Sequence, residues 1–285
     1  MFSYLLYRFG QFLALSLPLK KAYKLAIFLS DLQYYLAFRD RKRVAENLKI
    51  IFPDKSKSEI TKIQIQTFRN FAKYLVDFFR FDKLNMEYIN KNINIVNIDY
   101  INEGLKAGKG VILLTGHLGN WELGGVMLSM IGYPLTSVAL PHKSKRVNSF
   151  FNRQRESKGV KIFPLGNAAK SCLKVLKQNG IIGLVGDRDF TGKGIIIDFF
   201  GKEAIFPLGA AALSLKTGAQ IIPGFMLRNN DDSFSIVLEK PIQYEITGND
   251  HKDLRQIAIK YKDIFESYIK NYPEQWYMFR RFWKT

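Results

Sequence analysis

Cysteine is almost missing from this chain. Cys172 stands alone among 285 residues, which excludes an internal disulfide and any cysteine metal cluster. It lies in "AAKSCLKVL", an amphipathic helical pattern, and reads as a small core residue. Histidine is nearly as scarce. The three, at positions 117, 142 and 251, have no ligand spacing, and no H-E-x-x-H occurs, so no metal is expected. There is no G-x-S-x-G nucleophile elbow, no internal repeat and no low-complexity linker. Acidic residues are outnumbered, 25 against 43 Lys and Arg, which leaves a net charge of +18. Such a surface seeks polyanions: nucleic acid, anionic headgroups or an acidic protein. No helix-turn-helix, zinc finger or RNP-like aromatic motif accompanies the charge, so nucleic acid is only a distant alternative and no nucleic-acid partner is expected.

Apolar residues make up 47 % of the chain, which is the composition of a folded protein. Aromatics reach 14 %, with 23 Phe, more than a core of this size needs, and the surplus suits lipid or an apolar ligand. Residues 2–19, "FSYLLYRFGQFLALSLPL", approach the length of a bilayer span, but Arg8, Gly10 and Gln11 interrupt them. No basic stretch precedes the run and no A-x-A site follows it, so a signal peptide fits poorly. "AYKLAIFLSDLQYYLAF" comes next, and then the basic "RDRKR" at 39–43. The expectation is two interfacial helices on an anionic membrane, forming an N-terminal unit over residues 1–40. A true span of 2–19 and a pair of ordinary packed helices remain alternatives.

Residues 44–52 are expected to end at Pro53, and Ser56 or Ser58 to cap a long helix through "EITKIQIQTFRNFAKYLVDFFRF". A strand is expected around "INIVNI". From residue 110 short apolar runs alternate with helical patterns. The strand candidates are "GVILLT", "LTSVAL", "VKIFPL", "IIGLVGD", "AQIIPGFML" and "SFSIVLEKPI". Helices are expected at 120–131, 144–157, 168–178 and 207–217, with a last one in "DLRQIAIKYKDIFESYIKNY". This alternation predicts an α/β domain over 41–285, with a central, mostly parallel sheet flanked by helices. Sites in such folds lie at the carboxyl ends of strands, and His117 and Asp187 both fall just past such ends.

In "TGHLGNWELGG", residues 115–125, the strand should end near Thr115 and Asn120 should cap the next helix. Glu122 then falls in that helix's first turn. Its carboxylate can accept a hydrogen bond from one imidazole nitrogen of His117, leaving the other to take a proton from a substrate hydroxyl. With no serine or cysteine nucleophile in evidence, this arrangement implies direct attack of the hydroxyl on a thioester, without an acyl-enzyme. The residues alone leave a second reading open, in which His117 closes a turn and Glu122 merely sits well at a helix N-terminus.

"GHLGNWEL" resembles the His-x4-Glu motif of the lysophospholipid acyltransferase superfamily. More narrowly, it is similar to the late acyltransferases of lipid A synthesis and their relatives that acylate phosphatidylinositol mannosides. Three further blocks extend the resemblance over nearly the whole chain: "RVAENLKIIFP" at 43–53, "GDRDFTGKGIIIDFFGKEAIFPLGAAALSLKTGAQIIPGF" at 186–225, and the tail "NYPEQWYMFRRFWK" at 271–284. The resemblance implies an O-acyltransferase needing no cofactor, with His117 as catalytic base and Glu122 as its charge partner. It implies attachment to the cytoplasmic face of the inner membrane. The donor would be an acyl carrier protein or CoA thioester. The acceptor would be a glycolipid: a lipid A precursor first, a mannosylated phosphoinositide or other glycolipid second, a lysophospholipid third.

The substrate-binding candidates follow from the same blocks. Arg153 or Arg155, in the basic helix "HKSKRVNSFFNRQRESKG", would grip a phosphate bidentately. Asp187, Arg188 and Asp189 would order sugar hydroxyls or hold Arg155, and Asn120 is grouped with them. Pro207 is expected to open a helix whose free N–H groups polarise the thioester carbonyl. His142 reads as a surface residue and His251 as a helix-cap neighbour.

Overall fold

The computed structural model describes residues 1–190 and 192–283; Thr191, inside "DRDFTG", and Lys284, in the tail block, lie outside the described residues. Four helices lead the chain: α1 (Phe2–Ser16), α2 (Leu19–Leu36), α3 (Phe38–Ile51) and α4 (Lys57–Phe79). The expected cap of α4 is present as a capping box. The Ser56 side chain accepts from the Glu59 N–H, and the Glu59 carboxylate accepts from the Ser56 N–H. The basic "RDRKR" cluster is helical, inside α3. Among the described residues no helix is long and apolar enough to cross a membrane, so the alternative of a span at 2–19 finds no support. Helix α1 has only 15 residues, short of a bilayer span, and within it Arg8 donates to the buried Gln11 at 2.9 Å.

The remainder is α5 (Met86–Asn92), β1 (Ile93–Val96), α6 (Asp99–Lys106), β2 (Val111–Thr115), α7 (Trp121–Met130), β3 (Leu135–Ala139), α8 (Lys145–Glu156) and β4 (Lys161–Pro164). Then come α9 (Ala168–Lys177), β5 (Ile181–Val185), β6 (Ile195–Phe199), β7 (Lys202–Phe206), α10 (Gly209–Thr217), β8 (Gln220–Arg228), β9 (Phe234–Leu238) and α11 (Asp250–Asn271). Seven strands form one sheet in the order β1-β9-β8-β2-β5-β3-β4. Every pairing is parallel except β8 with β9, which fits the expected mostly parallel sheet. The pair β6–β7 stands apart as an antiparallel hairpin that the strand list above lacks. Its turn places Phe200 and Gly201 at positive φ, 55° and 75°, the backbone that a two-residue hairpin loop needs.

Strand β2 shows why the sheet is doubly covered. Val111 and Leu113 pack into the core on the side of α4 and α7, with Phe78 and Val126. Ile112 and Leu114 alternate onto the opposite face, with Leu176, Ile257 and Phe265. Cys172 is buried there as a small core residue. Helices α1 and α2 pack onto α4 and leave other faces in water. Phe2, Leu5, Leu6, Phe9 and Phe12 on α1, and Phe28, Leu29, Leu32, Tyr35 and Leu36 on α2, are exposed.

Candidate active site

Strands β2 and β5 are parallel neighbours, with Thr115 opposite Val185 at their carboxyl ends. His117 and Asp187 each lie two residues further on, so the register brings them together. His117 Nδ1 is 2.6 Å from Asp187 Oδ1, and the backbone N–H of His117 donates to Oδ2 at 3.1 Å. Trp276 Nε1 donates to the same Oδ2 at 3.2 Å. Burial pushes the Asp187 carboxyl up. The imidazole charge of His117, its hydrogen bonds and the guanidinium of Arg188 outweigh burial and hold Asp187 well below the usual carboxylate range. An ionised Asp187 keeps the proton on Nδ1. Nε2 then carries the lone pair, and among the described residues it has no hydrogen-bond partner.

The loop that carries His117 is fixed at both ends. Gly119 has φ 63°, and a Cβ there would lie 2.0 Å from the Met226 carbonyl oxygen, so only glycine fits. Its N–H donates to the Gln275 carbonyl at 2.9 Å, and the Tyr277 N–H donates back to the His117 carbonyl at 2.9 Å. The Asn120 N–H donates to the Met226 carbonyl at 2.7 Å. The "PEQWY" tail is thus the splint of the loop, and Trp276 reaches through it to Asp187. Nothing in the reading of the tail had given Gln275 or Trp276 a part in the site. The signal was only the block's presence among the four.

Several expectations change. The Glu122 carboxylate does not serve the His117 ring: it receives Arg155 bidentately, Nε to Oε2 at 2.7 Å and Nη2 to Oε1 at 2.5 Å. The first turn of α7 aims Glu122 at α8, while the β5 end supplies the carboxylate beside His117. Asp187, paired with His117, therefore does not hold Arg155. Arg155 lines the cavity beside His117, and Arg153 is exposed on the outer face of α8. Burial lowers the Arg155 guanidinium pKa, but the Glu122 charge and hydrogen bonds overcome that and raise it. Asn120 caps α7 as expected, accepting from the Leu123 N–H at 3.1 Å, but is buried and donates to Asp77 at 2.9 Å, away from the cavity. Arg188 donates to the Tyr277 carbonyl at 2.6 Å and leaves its buried Nε unpaired. Asp189 accepts from the Gly194 N–H at 3.0 Å, and Arg188 and Asp189 both line the cavity. Pro207 also lines it but does not open α10, which starts two residues later at Gly209. His142 is exposed and yet lines the cavity, its ring 4.5 Å from that of Phe151. His251 sits in the first turn of α11, after the Asn249 cap.

The cavity measures about 1390 Å³. That exceeds the roughly 300–1,000 Å³ of a typical small-molecule pocket. Its inner lining is apolar, with Leu113, Val126, Leu128, Leu135 and Val160. Gly124, on α7, faces Met226 so closely that a Cβ would stand 3.2 Å from the Met226 Cβ, which sets the spacing of helix and sheet here. The polar lining is unbalanced: Arg43, Arg155, Arg188, Lys193, Arg280 and Arg281 against Glu122 and Asp189. Cys172 is not part of the lining, and among the described residues no serine or cysteine is hydrogen-bonded to His117.

The cavity at the strand ends thus sets an oriented imidazole beside a largely apolar lining. The chain belongs to the bacterial lipid A biosynthesis acyltransferase family, whose model matches residues 1–285. It is 29 % identical over 218 residues to a phosphatidylinositol mannoside acyltransferase of Mycolicibacterium smegmatis, covering 75 % of this chain and 70 % of that one. A lipid A biosynthesis acyltransferase of Haemophilus influenzae is 22 % identical over 241 residues, 84 % of this chain and 74 % of its own. The lipid A biosynthesis lauroyltransferase of Escherichia coli is 23 % identical over 283 residues, 96 % and 88 %. The protein is an acyltransferase of this family, as the four sequence blocks imply.

Proposed function

We propose that this acyltransferase moves a fatty acyl chain from an acyl carrier protein or CoA thioester to a hydroxyl of a glycolipid, directly and without an acyl-enzyme. The observation that carries the proposal is the His117–Asp187 pair, with His117 lining a largely apolar cavity and its Nε2 without a hydrogen-bond partner among the described residues. The acceptor oxygen attacks the thioester carbonyl as Nε2 takes its proton. Asp187 stabilises the imidazolium, as an orienting carboxylate does. The C–S bond then breaks, and the proton passes from Nε2 to the departing thiolate. Leu208, Gly209 and Ala210 line the cavity where α10 begins without a side-chain cap, so N–H groups are available there for the developing oxyanion. The Glu122–Arg155 pair forms one polar wall. The excess of arginine supports an anionic acceptor headgroup or the phosphates of the donor.

The acceptor proposed first is a lipid A precursor, on the family description. The higher identity to the mycobacterial mannoside enzyme favours a mannosylated phosphoinositide as the second reading. The exposed stripes of α1 and α2, with Lys20, Lys21 and Lys24 between them, support an interfacial seat on the anionic cytoplasmic face of the inner membrane.

The test is a transfer assay. Protein in detergent receives labelled acyl carrier protein or CoA thioester with a lipid A precursor, a mannosylated phosphoinositide or lysophosphatidate, beside His117→Ala. Label in one glycolipid, dependent on His117, is the expected result. Transfer undiminished in a folded His117→Ala protein would sink the mechanism.

A further inference from the structure

Outside the dyad, the chain buries a second ionic cluster that the proposed chemistry does not use. Asp77, on α4, is 5 % exposed at its side chain and pairs with Arg228, at the end of β8, which is equally buried. Asp77 also accepts from the Tyr23 hydroxyl, on α2, and from Asn120 Nδ2 at 2.9 Å. Arg228 reaches Tyr23 at 3.2 Å and Asp232 at 3.4 Å, and Lys73 meets Asp232 at 2.6 Å. Two cations thus face two carboxylates, and the cluster is neutral. A buried ion cluster is a poor source of stability, because desolvation consumes most of its attraction. What it provides is direction: Tyr23 takes Asp77 Oδ1, while Asn120 and Arg228 share Oδ2.

We infer that Asp77 is a positioning residue for the acyl transfer: it fixes the turn behind His117 to helices α2 and α4. Asn120 has no freedom left, because its Oδ1 caps α7, its N–H is held by Met226 and its Nδ2 by Asp77. One turn earlier on α4, Tyr74 stacks on Trp121 with ring centroids 4.7 Å apart. The Trp121 and His117 rings in turn meet in a T-shaped arrangement with centroids 5.1 Å apart. Helix α4 therefore holds both residues that follow the His-Leu-Gly loop, one by a hydrogen bond and one by its ring. Tyr23 extends the tie to α2, the helix that exposes Phe28, Leu29 and Leu32. The seating of α2 reaches the catalytic loop through Asp77, by two hydrogen bonds in series. The inference rests on the acyl-transfer reading above, but its test has a readout of its own.

Asp77→Asn leaves Arg228 buried without its charge, so that variant is exposed to misfolding. Asn120→Ser keeps a hydroxyl cap on α7 and loses the reach to Asp77. Tyr23→Phe removes a single donor. Each would be run in the transfer assay beside wild type and His117→Ala, with thermal melts and NMR of the hydrogen-bonded His117 ring proton. The expected result is a folded Asn120→Ser with kcat lower by about tenfold and donor KM within about twofold, since sub-ångström misplacement acts on rate. Tyr23→Phe should show a smaller loss of the same kind, and in both the ring-proton signal should broaden or move. A lowered melting temperature with kcat and the ring proton unchanged would overturn the inference and leave a purely structural tie. If wild type transfers no acyl group to any acceptor, the functional reading fails instead, and the ring proton alone decides the positioning: altered supports it, unaltered refutes it. Should Asn120→Ser not fold, Tyr23→Phe carries the decision.

Discussion

Asp187 Oδ1 lies 2.6 Å from His117 Nδ1, although the two residues are 70 positions apart in the chain. The pairing follows from strand register, not from the His-x4-Glu spacing. It separates two roles that the motif would merge: one carboxylate faces the imidazole and another faces an arginine. Asp187→Asn should test the first role. The amide keeps the volume and can still meet the ring, but it no longer fixes the tautomer with Nε2 as acceptor. A kcat lower by about 10² or more, with donor KM little changed, is expected from loss of that control. Steady-state kinetics on a protein with a native circular-dichroism spectrum checks it. A kcat near wild type would make Asp187 dispensable to the base.

Glu122 and Arg155 act as a unit, with both side chains 13 % exposed and joined by two hydrogen bonds. Glu122→Gln or Arg155→Gln alone leaves a largely buried charge without its partner, which costs stability. The double variant removes both charges. A double-mutant cycle on melting free energy should give a coupling of about 1–3 kcal/mol, as for contacting charged residues. A coupling near zero would mean that solvent screens the pair. In the transfer assay the single variants should raise KM more than they lower kcat, because the pair lines the wall and does not face the transferred proton.

The pH dependence of stability has a definite sign. Asp187 is held below the ordinary carboxylate value of 3.8, so its contribution is complete above that value and is lost as pH falls through the lower folded value. Removing the charged partner of a buried hydrogen bond costs on the order of 1–3 kcal/mol. Wild type should therefore melt well above Asp187→Asn from neutral pH down to about pH 4. Below that the two melting curves should converge. A gap that widens in acid would mean that Asp187 is not the ionised partner described here.

Much of the site was legible before the fold was. Apolar runs ending at Thr115 and Val185 placed His117 and Asp187 past strand ends, and Asn120 announced its cap by residue type. The adjacency of β2 and β5 is not legible, because two strands, β3 and β4, and the helices α7, α8 and α9 separate them in the chain, and local pattern carries no strand order. Glu122 seemed the natural partner of His117 only because it is near in sequence. The β6–β7 hairpin escaped notice because "GIIIDFF" and "EAIF" flank a Phe-Gly turn in place of Asn-Gly, with Phe200 at positive φ. The role of the tail was hidden for a related reason. A β-bridge between Leu118 and Trp276 joins segments whose sequences show no strand period.

The exposed stripe of α1 sets the last prediction. Phe9 and Phe12 are 60 % and 63 % exposed, so aspartate at both positions removes little internal packing and the melting temperature should hold. On a bilayer each phenyl ring would leave water on binding, worth about 1.5 kcal/mol apiece. Co-sedimentation with vesicles containing anionic phospholipid should then fall by at least about tenfold for Phe9→Asp/Phe12→Asp. Lys20, Lys21 and Lys24 add a charge component, so raising salt should weaken wild-type binding further, and zwitterionic vesicles should bind less than anionic ones. Binding of the double variant equal to wild type at every salt concentration would place the membrane contact elsewhere on the surface, and α1 would then be a packing element that happens to expose phenylalanine.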